Sequence, residues 1–483
     1  IILQKRKEGE VMKKGIVLGI VMLLISCSTI KVPPQGVNYE SKLYNAENVD
    51  FHYDLTYLDK DGNIAYDKNI WDATYKLIDD ANDFLIIEMF LYNDIYDRSS
   101  GRFPEFAKEY TERLLAKQKA NPNLKVYVLL DENNNLYGAN EHPFITEMKN
   151  AGINVIIVDI YKLKDTFPWY SPVWRTAIEP LGNPKDKGWI TNFYGKDYTK
   201  LSLRNILRAL NVKADHRKIF MNEKNVIVSS ANIHDPSYFH ENVALETDGK
   251  ILEEIFANLN EVAEFSKEKI DLDLARKIKY NNIENSDYKV QYITEAKIGE
   301  ILDVDVDSLN SGDSVEMGMY FLADHNVINK LIKASNRGVD IKIIFDRSKD
   351  AFGMSTNGVP NKPVAKKLLR ETKNKIQVKW YFTNGEQYHT KFLKIEKTNG
   401  DVIMNAGSAN FIKKNIRGYI MDANLRVETS KDSELNKQVN NYFNRLWNNE
   451  DGLFTINYED EPTTSQFRDF TFRIVDALQL GSF

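Results

Sequence analysis

The chain contains DHRKIFMNEKNVIVSSAN at residues 215–232 and YHTKFLKIEKTNGDVIMNAGSAN at residues 388–410. Each stretch has a His-x-Lys triplet, an apolar strand pattern, a polar turn and a second apolar strand that ends in Ser-Ala-Asn. A third segment follows each hairpin, where Asn242–Thr247 resembles Asn424–Thr429. The same polar residues at the ends of two similar hairpins indicate an internal duplication.

The duplication extends upstream of both hairpins. Apolar strand patterns at 84–90 and 315–320 match each other, and each is followed by an apolar strand that ends in Asp131 or Asp346. Alternating helical and strand patterns predict an α/β fold of two similar domains, each a mixed β-sheet flanked by helices, related by pseudo-twofold symmetry. We place the domains at residues 51–266 and 285–483, with a charged helical connector over 267–285.

Glu88 and Glu316 interrupt the first pair of apolar strands at places that the sequence suggests are equivalent. A buried carboxylate is costly unless it is paired. We therefore expect both side chains to contact a Lys or Arg of the functional site.

The repeated polar residues form a set that suits one chemistry. Residues i and i+2 of a strand share a face, so His216 lies with Lys218 and His389 lies with Lys391. Hydroxyl and amide groups at the end of the next strand complete the predicted phosphate-binding set, namely Ser230, Asn232, Ser408 and Asn410. A neutral imidazole can attack a phosphodiester, and a second, protonated imidazole can protonate the leaving alkoxide. The cations and donors would stabilise the charge on the equatorial oxygens.

This pattern resembles the phospholipase D superfamily, whose signature is His-x-Lys-x4-Asp followed by Gly-Ser/Gly-x-Asn, present twice. The resemblance covers most of residues 70–430. It implies two α/β halves with one shared active site, a phosphohistidine intermediate, and no metal or other cofactor. By the family's usual order, His216 is the nucleophile and His389 the general acid, although the sequence itself does not distinguish the two.

The chain departs from the family signature in two respects. Glu occupies the position seven residues after each His, and only the second copy has Gly-Ser-x-Asn. The residues that orient the two imidazoles are therefore open. The candidates are Glu223 and Glu396 at the signature position, and Glu241, Asn242, Asp422 and Asn424 further downstream.

A metal site is the weaker interpretation of the histidines. His234 and His240 flank the first Ser-Ala-Asn, but the spacing of carboxylate ligands is not evident and the second half lacks equivalents. Cys27 is the one cysteine, which excludes an intrachain disulfide and a thiolate zinc site.

The start of the chain resembles a bacterial lipoprotein signal. Met12-Lys13-Lys14 precedes an apolar run, and Leu24-Ile25-Ser26-Cys27 resembles a lipobox. The resemblance implies that residues 1–26 are a signal peptide with upstream residues and that Cys27 carries the lipid. Residues 27–50 would be a tether, and the protein would be anchored in the bacterial cell envelope outside the cytoplasm.

The first half carries an insertion at about 161–210 that has no counterpart in the second half. It holds Trp169, Trp174 and Trp189, half of all the tryptophans. The insertion is either a packed surface loop or a lid or membrane-facing wall, since Trp favours lipid interfaces.

These observations predict a phosphodiesterase that hydrolyses glycerophospholipids to phosphatidic acid at a phospholipid membrane surface. The alternatives are a cardiolipin synthase-like phosphatidyltransferase and a secreted nuclease. A net charge of −5 disfavours nucleic acid as an obligatory partner, although a local basic groove could exist. A binding protein without chemistry would not need intact His, Lys and Asn in both copies. The sequence identifies no protein partner.

Overall fold

The computed structural model describes residues 29–98, 101–192, 195–347 and 358–461, so the predicted signal segment and Cys27 lie outside the described residues. The strands are β1 Tyr44–Ala46, β2 Val49–Asp59, β3 Ile64–Lys68, β4 Phe84–Met89, β5 Tyr92–Asn93, β6 Lys125–Leu130, β7 Asn154–Ile157, β8 Lys218–Asn222, β9 Val226–Ser229, β10 Ile233–His234, β11 Asn242–Thr247, β12 Tyr288–Thr294, β13 Ser314–Met319, β14 Asp340–Phe345, β15 Gln377–Tyr381, β16 Lys391–Glu396, β17 Asp401–Gly407, β18 Ala423–Ser430, β19 Gly452–Leu453 and β20 Thr455–Asn457. The α-helices are α1 Asn69–Asp80, α2 Phe106–Ala120, α3 Pro143–Asn150, α4 Ser171–Val173, α5 Leu203–Ala209, α6 Ile251–Phe265, α7 Glu295–Asp307, α8 His325–Arg337, α9 Asn361–Thr372, α10 Lys413–Ile416 and α11 Glu434–Asn448.

Two large mixed sheets share one strand order. The first runs β2-β11-β9-β8-β4-β6-β7, and the second runs β12-β18-β17-β16-β13-β14-β15. In both sheets the last three strands pair in parallel and the others pair antiparallel. The predicted α/β fold of two similar halves is confirmed.

Both sheets are covered on both faces, which explains their continuous apolar strands. Alternate residues of β4 enter different cores: Phe84 and Ile86 face the other half, whereas Leu85 and Ile87 lie beneath α1, α2 and α3. The second sheet buries its outer face under α7, α8 and α9. The core between the halves also takes apolar side chains from α6 and α11. The helices thus lie on the outer faces and around a shared interior that positions the two repeats.

The ends of the chain cross between the halves. β1 pairs with β12 of the second sheet, and β19 pairs with β2 of the first. Within the predicted tether, Val37 and Ala46 are buried. The tether prediction was therefore wrong for the part from about residue 37, because apolar contacts and strand pairing hold this segment on the body of the protein.

The predicted helical connector over 267–285 was also wrong. It contains one short 3₁₀ turn, Leu272–Lys277, and is otherwise irregular. Charged residues with helical propensity lie here without a continuous apolar face to pack, and propensity alone rarely holds a helix in a protein.

Strand register corrects the match between Glu88 and Glu316. Met89 pairs with Lys218 and Met319 pairs with Lys391, so Glu88 is equivalent to Gly318. Glu316 lies two residues earlier and contacts Lys394 at 3.0 Å. A Cβ at Gly318 would lie 2.4 Å from the Tyr388 hydroxyl, so the second half has an aromatic ring where the first half has a carboxylate.

Candidate active site

The two predicted imidazoles lie together where the halves meet. His216 lies two residues before the start of β8 and His389 two residues before the start of β16. The centroids of their rings are 6.5 Å apart. Backbone bonds across the interface fix both positions. The His216 N–H donates to the Met421 carbonyl at 2.8 Å, and the Glu241 N–H donates to the Gln387 carbonyl at 3.0 Å. The pseudo-twofold arrangement thus brings both His-x-Lys triplets to one site.

Each imidazole is held by a side chain of the opposite half. His216 Nδ1 lies 2.8 Å from Asp422 Oδ1, and His389 Nδ1 lies 3.1 Å from Asn242 Oδ1. Ser408 donates to Asp422 at 2.7 Å, and Ser230 donates to Asn242 at 2.9 Å. This crossed pairing leaves Nε2 of each ring without a hydrogen-bond partner among the described residues.

Of the candidates for orienting the rings, Asn242 and Asp422 take this place, and the others do not. Asn424 binds the Ala409 N–H and Asn405 instead. The pairing of β17 with β18 makes Asp422, not Asn424, the equivalent of Asn242. The sequence match between the third segments was therefore wrong by two residues.

Glu223, Glu396 and Glu241 do not orient the imidazoles either. Glu223 accepts the backbone N–H groups of Asn82 and Asp83, and Glu396 lies 3.6 Å from Lys394. Seven residues of extended strand span about 20 Å, which separates both signature-position carboxylates from the imidazoles. Glu241 is fully buried, and its carboxylate oxygens have no hydrogen-bond partner among the described residues.

The two motif lysines occupy equivalent places. Lys218 Nζ donates to the His216 carbonyl at 2.5 Å and lies 4.9 Å from the Phe90 ring. Lys391 Nζ donates to the His389 carbonyl at 2.7 Å and lies 4.9 Å from the Tyr320 ring. The two aromatic rings, each one residue beyond the end of its strand, were not predicted as site residues. The signal was their equivalent position after β4 and β13.

The predicted phosphate-binding residues divide into two kinds. Ser230 and Ser408 are buried and already bind the side chains that orient the imidazoles, so they position the site. Asn232 and Asn410 are also buried, but their side-chain amides, including the N–H donors that a phosphate oxygen needs, form no hydrogen bond with the described residues. Only these two amides remain candidates for direct phosphate contact.

Asp131 and Asp346 act at matching positions beside the histidines. Asp131 accepts the backbone N–H of Asp215 at 2.7 Å, and Asp346 accepts that of Tyr388 at 2.8 Å. Each carboxylate thus fixes the residue that precedes a motif His. A third histidine, His240, has its ring 6.1 Å from that of His389 and accepts the Gln387 N–H.

Burial and the neighbouring cations favour the neutral form of both imidazoles. Burial, followed by Lys218, lowers the pKa of His216 to about 4, against the opposing effect of Asp422. Burial and Lys391 lower the pKa of His389 well below its usual value. Burial also lowers the pKa of Lys218 to about 7. A bound phosphodiester would add negative charge beside the two lysines and the imidazoles and would favour protonation of the rings.

These shifts make stability depend on pH in opposite directions. The unfolded chain takes up a proton on each His near pH 6.5, while buried His216 resists protonation until about pH 4, so the contribution of His216 to stability falls as pH falls between these values. Buried Asp54 and Glu295, whose pKa values are raised to about 7 by burial, contribute in the opposite direction. We therefore expect the Tm of His216→Asn to fall less, or to rise more, than that of the parent protein between pH 7 and pH 5, measured by calorimetry. Equal changes of Tm in the two proteins would contradict the expectation.

A buried charge network joins the halves beneath the site. Arg217, the central residue of the first triplet, donates to Glu295 at 2.7 Å and to Asn258 at 2.9 Å. The same Glu295 oxygen accepts the Asp422 N–H at 3.2 Å. Burial, then the nearby Asp215, raises the pKa of Glu88 well above its usual value. Arg217 of the first half thus shares one oxygen of Glu295 with the backbone N–H of Asp422, the residue of the second half that orients His216.

Substitution of Arg217 should destabilise the protein strongly. Arg217→Met leaves the buried Glu295 without its cation, which costs about 3–5 kcal/mol in comparable pairs. Chemical denaturation would measure the free energy of unfolding. Arg276→Met is the matched control, because Arg276 pairs with Asp273 while 84% exposed. Equal effects of the two substitutions would contradict a structural role for the network.

The described residues contain no group of three or more His, Cys, Asp and Glu side chains suited to hold a metal ion. The same part of the chain contains no helix with the length and apolar character needed to cross a bilayer.

Part of the chain and its overall fold are similar to known proteins. Residues 306–447 match the family model described as "Cardiolipin synthase, PLD-like domain". The structure is similar to phosphatidylserine synthase from Haemophilus influenzae, with a TM-score of 0.58 at 12% identity, over 92% of this chain and 97% of that chain. The phospholipase D family member Nuc from Salmonella typhimurium matches with a TM-score of 0.26 at 20% identity, over 35% of this chain and 97% of that one. Comparison with curated protein sequences gave no match.

The shared strand order of the two sheets extends the phospholipase D-like fold of the matched region to the first half of the chain. The range 306–447 is the phospholipase D-like domain that contains His389, Lys391, Asn410 and Asp422.

Proposed function

We propose that this protein is a phospholipase D-type enzyme that transfers a phosphatidyl group from a glycerophospholipid through a phosphohistidine, with water or an alcohol as acceptor. One observation carries the proposal: two imidazoles 6.5 Å apart have their Nδ1 atoms held from opposite halves. Each ring therefore has Nε2 available for the reacting phosphorus or its leaving oxygen.

In the first step, Nε2 of His216 attacks phosphorus and the bond from phosphorus to the headgroup oxygen breaks. The leaving alkoxide takes the Nε2 proton of His389. In the second step, neutral His389 accepts a proton from water or an alcohol, whose oxygen attacks phosphorus and releases His216. The ammonium groups of Lys218 and Lys391, with the amides of Asn232 and Asn410, would stabilise the equatorial oxygens.

The partners of the two rings favour this assignment of roles. A carboxylate beside His216 stabilises the positive charge that its ring acquires when Nε2 binds phosphorus. The neutral amide of Asn242 beside His389 adds no such stabilisation, so the protonated ring remains the better acid. The assignment of nucleophile and acid, open from the sequence, thus rests on a chemical difference between the halves.

Hydrolysis and transfer share the first step and differ in the acceptor. The family model that matches residues 306–447 is described by cardiolipin synthase, and the H. influenzae neighbour is a phosphatidylserine synthase. We therefore rank transfer to an alcohol beside hydrolysis to phosphatidic acid. Anchoring through Cys27 in the cell envelope remains part of the proposal, because the order of charge, apolar run and Cys is that of a lipoprotein signal.

One assay separates these activities from a nuclease. Full-length protein is incubated with phospholipid vesicles, with and without glycerol or serine as acceptor, and separately with plasmid DNA. Release of headgroup with formation of phosphatidic acid, or of a new phospholipid when acceptor is added, supports the proposal. Cleavage of DNA alone would overturn the choice of substrate. His216→Asn serves as the inactive control in every arm.

A further inference from the structure

The insertion at 161–210 differs from the rest of the surface in its apolar exposure. Six of the twelve exposed large hydrophobic side chains of the described residues lie within it, namely Trp169, Val173, Leu181, Trp189, Leu203 and Leu210. Trp169 is 61% and Trp189 72% exposed, whereas Trp174 is buried against Tyr161. Tyr161 and Trp174 thus belong to the core between the two halves, whereas the insertion presents two other indole rings to solvent.

The charge of the insertion is opposite to that of the whole chain. Residues 161–210 contain nine Lys and Arg against four Asp and Glu, a formal net charge of +5 in a chain of net charge −5. Four of the lysines are exposed, namely Lys185, Lys187, Lys196 and Lys200, against three exposed carboxylates, Glu179, Asp186 and Asp197. Cations around exposed indoles and leucines are the composition of surfaces that bind anionic membranes.

Internal hydrogen bonds hold the segments of the insertion in fixed positions relative to one another. The Trp189 N–H donates to the Leu201 carbonyl at 3.1 Å, and Arg204 donates to the carbonyls of Leu181 and Gly182. The Tyr170 hydroxyl bonds the Leu207 carbonyl. The exposed apolar residues thus lie on segments that are tied to one another.

The insertion also adjoins the candidate active site. Phe167 packs under Lys414 at 5.0 Å, and the neighbouring Asn415 donates to Asp422 at 2.7 Å. Lys213, three residues before His216, donates to Asp165 at 2.7 Å. The insertion therefore contacts Lys414, whose neighbour binds Asp422, and Lys213, which lies close to His216 in the chain.

We propose that the exposed face of the insertion, defined by the six apolar side chains and four lysines named above, docks the enzyme on an anionic phospholipid surface next to its active site. The proposal rests on the proposed phospholipid substrate. Nucleic acid fits this face less well, because leucines 49–65% exposed gain nothing from a phosphate backbone but are removed from water in a bilayer interface.

Vesicle binding tests the face directly. All proteins are full length and carry Cys27→Ala, so that no acyl chain contributes. The apolar variant is Trp169→Ser with Trp189→Ser, and the charge variant reverses the four lysines to Glu. Matched controls are Leu272→Ser with Val304→Ser, residues 60% and 68% exposed outside the insertion, and reversal of the exposed Lys60, Lys119, Lys269 and Lys375.

Sedimentation is measured with vesicles of phosphatidylcholine containing one quarter phosphatidylglycerol, and with phosphatidylcholine alone. We expect at least tenfold weaker binding to the anionic vesicles for both face variants and less than twofold change for both controls. The charge variant should bind vesicles of phosphatidylcholine alone almost as well as the parent protein does. Lipids brominated on the acyl chains should quench Trp fluorescence in the parent protein and much less in the Trp variant.

Activity on a monomeric short-chain phosphatidylcholine separates this proposal from the enzymatic one. Face variants that retain this activity while losing vesicle binding support docking. Face variants that bind vesicles like the controls overturn docking and leave the enzymatic proposal unaffected. Absence of activity in the parent protein overturns the enzymatic proposal. The docking proposal is then tested by the sedimentation result alone. Binding of a duplex oligonucleotide that depends on the lysines, without Trp-dependent vesicle binding, would also overturn docking.

Discussion

His389→Asn is expected to produce a protein that is phosphorylated on His216 and turns over at least about 10³-fold more slowly than the parent. The general acid is not needed when the leaving group is 4-nitrophenolate, so a 4-nitrophenyl phosphodiester should still transfer its phosphoryl group to Nε2 of His216. The second step needs a base to activate the acceptor, and that base is missing. The covalent intermediate should therefore accumulate.

The measurement combines a rapid-mixing burst of 4-nitrophenolate with mass spectrometry of the quenched protein. The burst should approach one equivalent, with the added mass on the peptide that contains His216. His216→Asn should show neither burst nor adduct. His142→Asn is the control for structural effects, because His142 is as buried as His389 and belongs to a separate pair with Asp94.

Two results would contradict the assignment. An adduct on His389 in the His216→Asn protein would exchange the roles of nucleophile and acid. Turnover in both single variants close to that of the parent would show that the imidazole pair is not the reacting centre. Equal Tm values for the parent and variants would exclude unfolding as the cause of lost activity.

Asp422→Asn is expected to lower kcat by on the order of 100-fold with little change in KM. The amide oxygen can still accept a hydrogen bond from Nδ1 of His216, but it no longer supplies the negative charge that stabilises the phosphorylated ring. Asp422 is fully buried and held by Ser408 and Asn415, so its charge acts at close range. Single-turnover kinetics would measure the rate of phosphohistidine formation.

Asn242→Asp is the matched substitution in the other half. A carboxylate beside His389 should raise the pKa of that ring, because it favours the protonated form. The alkaline limb of the pH profile, where His389 loses its proton, should then move to higher pH, and proton transfer to a poor leaving group should slow. Indistinguishable kinetics and pH profiles for Asp422→Asn and Asn242→Asp would contradict the proposed difference between the two histidines.

The amino-acid sequence by itself determined the duplication and both His-x-Lys triplets. Apolar strand patterns and the repeated His-x-Lys and Ser-Ala-Asn segments are local features, and they predicted the two equivalent α/β halves correctly. Side chains two apart on a strand share a face whatever surrounds them. The pairing of each His with its Lys therefore needed no tertiary information.

Only the tertiary structure decided which residues act on the two imidazoles. Asp422 reaches His216 and Asn242 reaches His389 from the opposite half, about 150 to 200 residues away in the chain. These contacts depend on strand register, and a shift of two residues leaves the alternation of faces unchanged. The similar letters Asn242–Thr247 and Asn424–Thr429 therefore gave the wrong match. The register of β11 and β18, and the packing of one half on the other, placed a carboxylate beside one histidine and an amide beside the other.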